Sequence, residues 1–261
     1  MKRIDIIGAP GVGKSTLVNL LLEKRKNTSV WLTVDEAKTL IAKEEIKNNY
    51  SIIKRLLGLL ILNIINKKKL RECFRDMVNE TVEKKAFQEK LELWEPFIEF
   101  CVNCVGDHNK DAYYRLLLAN SFLHIIKDVA LIERSKIKTK VVFDYSLSQN
   151  VTGLISWNYE VGSKLSKEYF ELMPRPDALI YIEATPEIIV DRIIQRSSEI
   201  IITQHRELSS KEILQRTKIT ISNISSGVRV LQDKGIPILT IDSTQSLDDA
   251  AYFCSEFLDQ L

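Results

Sequence analysis

The chain has 261 residues, 45% of them hydrophobic, which suffices for one large α/β domain, 1–261, or a domain carrying a sizeable insertion. A formal charge of only +2 supplies no bulk field that would make nucleic acid the main partner, so any basic site must be local. Four cysteines are too few for a disulfide scaffold, and no charged leader with an apolar core stands before the first strand; both predict a cytoplasmic protein.

The first predicted strand, with Ile4, Ile6 and Ile7, breaks into Gly8-Ala9-Pro10-Gly11-Val12-Gly13-Lys14-Ser15 and continues as a helix through Leu17, Leu20 and Leu21. The eight residues fit G-x-x-x-x-G-K-[ST], a phosphate-binding loop in the strand–helix context that it needs. Glycines at 8, 11 and 13 let successive N–H groups turn inward around an anion, and the following helix points its positive end at the same place. Lys14 is the candidate cation for the β- and γ-phosphates of ATP, and the Ser15 hydroxyl a ligand for Mg²⁺. The nucleotide-binding set is Gly8, Ala9, Pro10, Gly11, Val12, Gly13, Lys14, Ser15 and Thr16.

Ser29 to Val34 alternates and branches like a second strand that ends in Asp35-Glu36, at the carboxyl edge where a parallel sheet presents residues to ligands. Either acid is a candidate base toward a phosphoryl acceptor; equally, the pair reads as an acidic helix start. From about Glu44 to Arg134 the chain turns helical, an insertion (44–134) between strands two and three. Within it, Leu56 to Ile65 is almost wholly apolar and flanked by Lys54-Arg55 and Lys67-Lys68-Lys69. It is shorter than the roughly 20 residues of a membrane span, so it reads as a buried helix or a homodimer contact, with a peripheral lipid contact ranked behind. Cys101-x-x-Cys104 followed by His108 lacks a second ligand pair and reads as core rather than metal.

Thr139 to Asp144 is the third strand, three apolar residues delivering an acid, the Walker B pattern that would hold Mg²⁺ through Asp144 opposite Ser15; a carboxylate that caps the next loop is the alternative. Tyr145 to Asn150 is a polar run suited to an acceptor. Asp177 to Ile182 is strand four, and Thr185-Pro186-Glu187 opens a helix carrying Arg192 and Arg196 four residues apart. A polar segment, Ser197 to Ser210, with His205 and Arg206, has the composition of a lid. Arginines beside it would stabilise charge as a phosphoryl group moves, or are ordinary surface residues. A helix to Lys234, strand five over Ile236 to Ile241 and a closing helix complete five strands alternating with helices, the pattern of a three-layer α/β fold around a parallel sheet.

Together, GAPGVGKS, VVFDYSLSQ, PRPDALIYIEATPEIIVDRIIQR and GIPILTIDSTQSLDDAA resemble the P-loop nucleoside and nucleotide kinases, nearest to thymidylate kinase and the deoxynucleoside kinases. The resemblance implies phosphate and metal binding by Lys14 and Ser15, a magnesium- or acceptor-side role for Asp144, lid roles for Arg192 and Arg196, and a catalytic base at Glu36. Tyr145 replaces the arginine that follows the family's strand-three acid, and no proline follows Glu36. The resemblance therefore reaches the donor side further than the acceptor. The expected reaction is transfer of the γ-phosphoryl of ATP to a small-molecule acceptor, a nucleoside or nucleotide first and a sugar or other metabolite second. The rival from another class is a regulatory NTPase that acts on a protein partner through its helical insertion. The rival's common forms lack support, since no glycine stands three residues after Asp144 and Asn109-Lys110-Asp111 lacks the N-K-x-D spacing.

Overall fold

The structure is a computed structural model that describes residues 1–25, 31–64, 68–106, 111–135, 137–155, 159–195 and 208–261. Among these, five strands form one parallel sheet in the order β2-β3-β1-β4-β5: β1 Lys2–Ile7, β2 Trp31–Thr33, β3 Lys140–Phe143, β4 Ala178–Glu183 and β5 Ile238–Asp242. β1 lies at the centre and is covered on both faces, which accounts for its run of buried isoleucines. Two buried charged residues share that central strand. Arg3 and Asp5 are both buried, with Arg3 Nε and Asp5 Oδ1 facing each other 3.4 Å apart as an ion pair without a hydrogen bond, and their other polar atoms find partners outside the strand. Arg3 donates to the Pro174 carbonyl and meets Glu133 at 3.3 Å, while Asp5 accepts from the Ser148 hydroxyl at 2.6 Å. The network ties the segment after β3 to the centre of the sheet.

From β1 the chain crosses to β2 at one edge; from β3, the neighbour of β1, it crosses to β4 on the other side. Adjacent strands whose connections diverge leave a crevice at their carboxyl ends, and the two loops opening there are those that follow β1 and β3. The helix α1 (Lys14–Lys24) starts in this crevice.

Between β2 and β3 stand four helices, α2 Val34–Asn49, α3 Ile52–Ile64, α4 Lys68–Gly106 and α5 Ala112–Arg134, the helical insertion that the sequence predicts. α4 and α5 share the main hydrophobic core with the sheet: Phe97 meets Phe122 and Tyr169 edge-on at 5.8 and 5.0 Å, and Cys101 is buried beside them. Burial pushes the Cys101 thiol pKa far up, in keeping with a packing role. A smaller core joins α2, α3 and α4 through Ala42, Ile46, Leu62 and Val78. α3 is only half covered by it: Gly58 and Leu62 face inward, whereas Ile52, Leu56, Leu57 and Leu60 face outward, so the expectation of a buried helix holds for one face alone.

After β3 follow α6 Leu147–Leu154, α7 Tyr159–Leu172, α8 Pro186–Ile194, α9 Ser210–Asp233 and α10 Leu247–Gln260. α6 falls where the sequence reads only a polar run. Ser146 caps it by accepting from the Gln149 amide, and Leu147, Val151 and Leu154 bury one stripe. The second strand ends at Thr33, one residue before its alternating pattern does. Residues 29 and 30 of that pattern, and 197–207 of the expected lid, lie outside the described residues.

Candidate functional site

The loop from Gly8 to Lys14 takes the backbone path that its glycines permit. Gly11 and Gly13 sit at φ 93° and 112°, a region that side chains disfavour, and a Cβ at Gly8 would come within 2.6 Å of the Ile182 carbonyl oxygen. Gly13 is the N-cap of α1 and offers no side-chain bond to the first turn, so the helix presents amide donors toward the crevice. Lys14 folds over the loop, its ammonium donating to the carbonyls of Gly8 at 2.7 Å and Ala9 at 3.2 Å. This holds a positive charge at the mouth of the loop. The Gly8 amide is fixed in turn by the side chain of Gln149 on α6, at 3.1 Å.

Three cavities adjoin around this loop. One of about 440 Å³ is lined by Gly11, Lys14, Ser15 and Thr16 on one side and by Asp144, Tyr145 and Gln149 on the other. Asp144 follows β3 directly and is exposed, as are Ser15 and Thr16. A hydroxyl and one carboxylate across a polar cavity are a donor set that fits Mg²⁺, which binds few protein ligands and keeps its waters. A second cavity, about 480 Å³, shares Gly11, Gly13 and Thr16 with the first and is walled by Arg192 and by Ser243 to Gln245 after β5. A third, about 560 Å³, shares Ser121, Asp144 and Tyr145 and runs between α1, β2 and α5 past Asp35, His124 and Asp128.

Arg192 occupies a different place from the one expected of a lid arginine. Its guanidinium donates to the Val12 carbonyl at 2.9 Å, to the Ser243 hydroxyl at 2.8 Å and to the Ser243 carbonyl at 2.9 Å. It thereby braces the phosphate loop against the turn after β5. Arg196 lies outside the described residues.

Glu36 likewise stands apart from the acceptor-side expectation. It is the third residue of α2, where its carboxylate accepts from the Thr33 amide at 2.9 Å and its own amide donates back to the Thr33 hydroxyl, a capping box. Arg25 clasps the same carboxylate with both terminal nitrogens, one at 2.7 Å. That pairing, reinforced by the Thr33 bonds, holds the Glu36 carboxyl below its ordinary pKa. Glu36 lines a further cavity of about 400 Å³ between α2 and α4, whereas Asp35, one residue earlier, lines both that cavity and the one with Asp144. Asp35 accepts from Arg75 at 2.8 Å.

Three polar groups outside the motifs face the site. Asp128 is partly buried, burial raising its carboxyl pKa, and is held by Lys38 at 2.8 Å; Lys38, although burial opposes its charge, is kept protonated by Asp128 and Asp76. His124, one turn before Asp128, lines the same cavity. Gln149 was legible only as part of a polar run; the capping serine and the Leu147/Val151/Leu154 spacing were the signals that put it on a helix.

No protein-family model matches the chain, and no curated protein matches it. Among solved structures, deoxyadenosine kinase from M. mycoides with the products dCMP and a flexible dCDP bound is similar over 99% of this chain and 100% of its own, at 11% identity and a TM-score of 0.44. The same enzyme with bound dATP is similar over the same shares, at 11% identity and a TM-score of 0.42. The P-loop α/β architecture of this chain rests on its own sheet order, on the loop that follows β1 and on the acid that follows β3.

Proposed function

We propose that the protein is an ATP-dependent kinase of a small molecule, with a nucleoside or nucleotide as the leading acceptor class. The observation that carries the reading is a row of three cavities with common wall residues: one at Arg192 and Ser243, one at the phosphate loop, one at Asp35 and Asp128, the middle one sharing residues with each of the others. Such a train suits a nucleotide whose base lies against the turn after β5, whose phosphates lie in the loop, and whose terminal phosphoryl group faces an acceptor beyond Asp144.

In this reading Lys14 and the loop amides neutralise the phosphate oxygens, and Ser15 and Asp144 are the residues that would hold Mg²⁺, which supplies charge neutralisation between the phosphates. Asp35 rather than Glu36 orients the acceptor hydroxyl or phosphate, because Asp35, though paired with Arg75, lines the cavity shared with Asp144, whereas Glu36 does not and is clasped by Arg25 and Thr33. Asp128 and His124 select the acceptor by hydrogen bonding, the kind of contact that discriminates strongly when a partner group is missing.

The test is ADP release by the purified protein with Mg-ATP, alone and against pooled nucleosides, nucleoside monophosphates and sugars, with Lys14→Ala as control. Acceptor-dependent ADP that vanishes in the variant supports the kinase and names the acceptor class. ADP indifferent to every acceptor overturns it in favour of a regulatory NTPase.

A further inference from the structure

We propose that α3 docks the protein onto an anionic lipid surface. Between Ile46 and Arg71 the sequence holds seven Lys and Arg and no Asp or Glu, a charge of +7 in 26 residues, although the whole chain carries only +2 and the other 235 residues therefore −5. In the middle of that stretch α3 turns four aliphatic side chains outward: Ile52, Leu56 and Leu60, successive turns of one stripe, are 72%, 66% and 49% exposed, and Leu57 beside them 57%. The opposite face is anchored, with Leu62 buried against Ile46 and Val78, so the helix is held with its leucines presented to the outside.

Exposed basic residues lie on this helix and flank it on both sides along the chain. Lys54 is exposed on α3 itself, Lys47 on the last turn of α2, and Lys68 and Lys69 on the first turn of α4. An apolar stripe bordered by cations matches an interfacial helix, whose leucines enter the acyl boundary while the lysines stay at the phosphates. At 13 residues the helix is too short to cross the bilayer, so it lies on the surface.

The charge also decides between occupants. A two-fold contact would set the same basic stretch against itself, which a second copy can relieve only by bringing acids that the stretch lacks. A nucleic acid strand satisfies the lysines but offers nothing for four exposed aliphatic side chains, since strand-binding surfaces stack bases on aromatic rings. Anionic lipid satisfies both.

The experiment is flotation of the full-length protein with phosphatidylcholine vesicles made with and without phosphatidylserine, alongside sedimentation velocity and a single-stranded DNA titration. Binding to the phosphatidylserine vesicles alone is expected. It should fall about thirtyfold in Lys54→Gln/Lys69→Gln and at least about tenfold in Leu56→Ser/Leu60→Ser. Both variants are checked for an unchanged melting temperature, and the lysine pair, being exposed, decides the matter even where the leucine pair disturbs packing. Equal partition into both vesicle types overturns the proposal. So does absence of vesicle binding accompanied by a dimer that Leu56→Ser/Leu60→Ser dissolves, or by DNA binding that Lys54→Gln/Lys69→Gln removes.

Discussion

Replacing Arg192 by methionine separates two roles that a sequence cannot tell apart. The substitution keeps the apolar stem but removes three donated bonds, to the Val12 carbonyl and to both oxygens of Ser243. Bonds from a charged donor contribute about 1.5–3 kcal/mol each in favourable cases, but the side chain is only half buried and water can replace part of each bond, so the set is worth about 2–3 kcal/mol. For a chain of this size that corresponds to a fall in melting temperature of about 4–12 °C. With its brace gone, the loop from Gly11 to Gly13 loses its preset path. ATP affinity, measured by calorimetry, should weaken by about tenfold while kcat at saturating ATP stays within about threefold, the signature of lost ground-state binding. The opposite pattern refutes the reasoning: a kcat reduced by about a hundredfold or more, with melting temperature and ATP affinity intact, would mean that the guanidinium leaves Ser243 to meet the moving phosphoryl group.

Gly8→Ala would set a Cβ 2.6 Å from the Ile182 carbonyl oxygen, a backbone atom that cannot swing aside, and should abolish nucleotide binding in an equilibrium ATP titration while circular dichroism keeps its α/β signature. Asp5→Ala leaves buried Arg3 with Glu133 as its one remaining carboxylate and Ser148 without its acceptor, and should lower stability to denaturant by about 2–3 kcal/mol, with the urea midpoint as the readout. Glu36→Gln tests a pH dependence. Because the Glu36 pKa in the fold lies below its ordinary 4.5, the ionised carboxylate stabilises above that value and the contribution disappears as pH falls through the depressed pKa. The gap in melting temperature between the native protein and Glu36→Gln should therefore be present at neutral pH and close progressively in acid.

What the sequence determined by itself was local. The phosphate loop is legible because its glycines, Lys14 and Ser15 act within eight consecutive residues, and because the strand before and the helix after it follow periodicities of two and 3.6. The strand–helix alternation, the helical insertion and the acid after strand three follow from the same short-range patterns. The helix over 147–154 escaped because three of its buried positions, Ser148, Gln149 and Asn150, are polar residues that also suit loops. Tertiary structure decided the rest through partners far apart in the chain. Arg192 meets Val12 across 180 positions, Gln149 reaches the Gly8 amide across 141, and Asp5 takes Ser148 across 143. What distinguishes Asp35 from Glu36 is likewise spatial: Arg25 and Thr33 hold the Glu36 carboxylate, whereas Asp35, held by Arg75, also lines the cavity that Asp144 lines. Periodicity reports which face of an element is apolar; only packing fixes what meets that face, and for α3 it left the most apolar part of the insertion half uncovered.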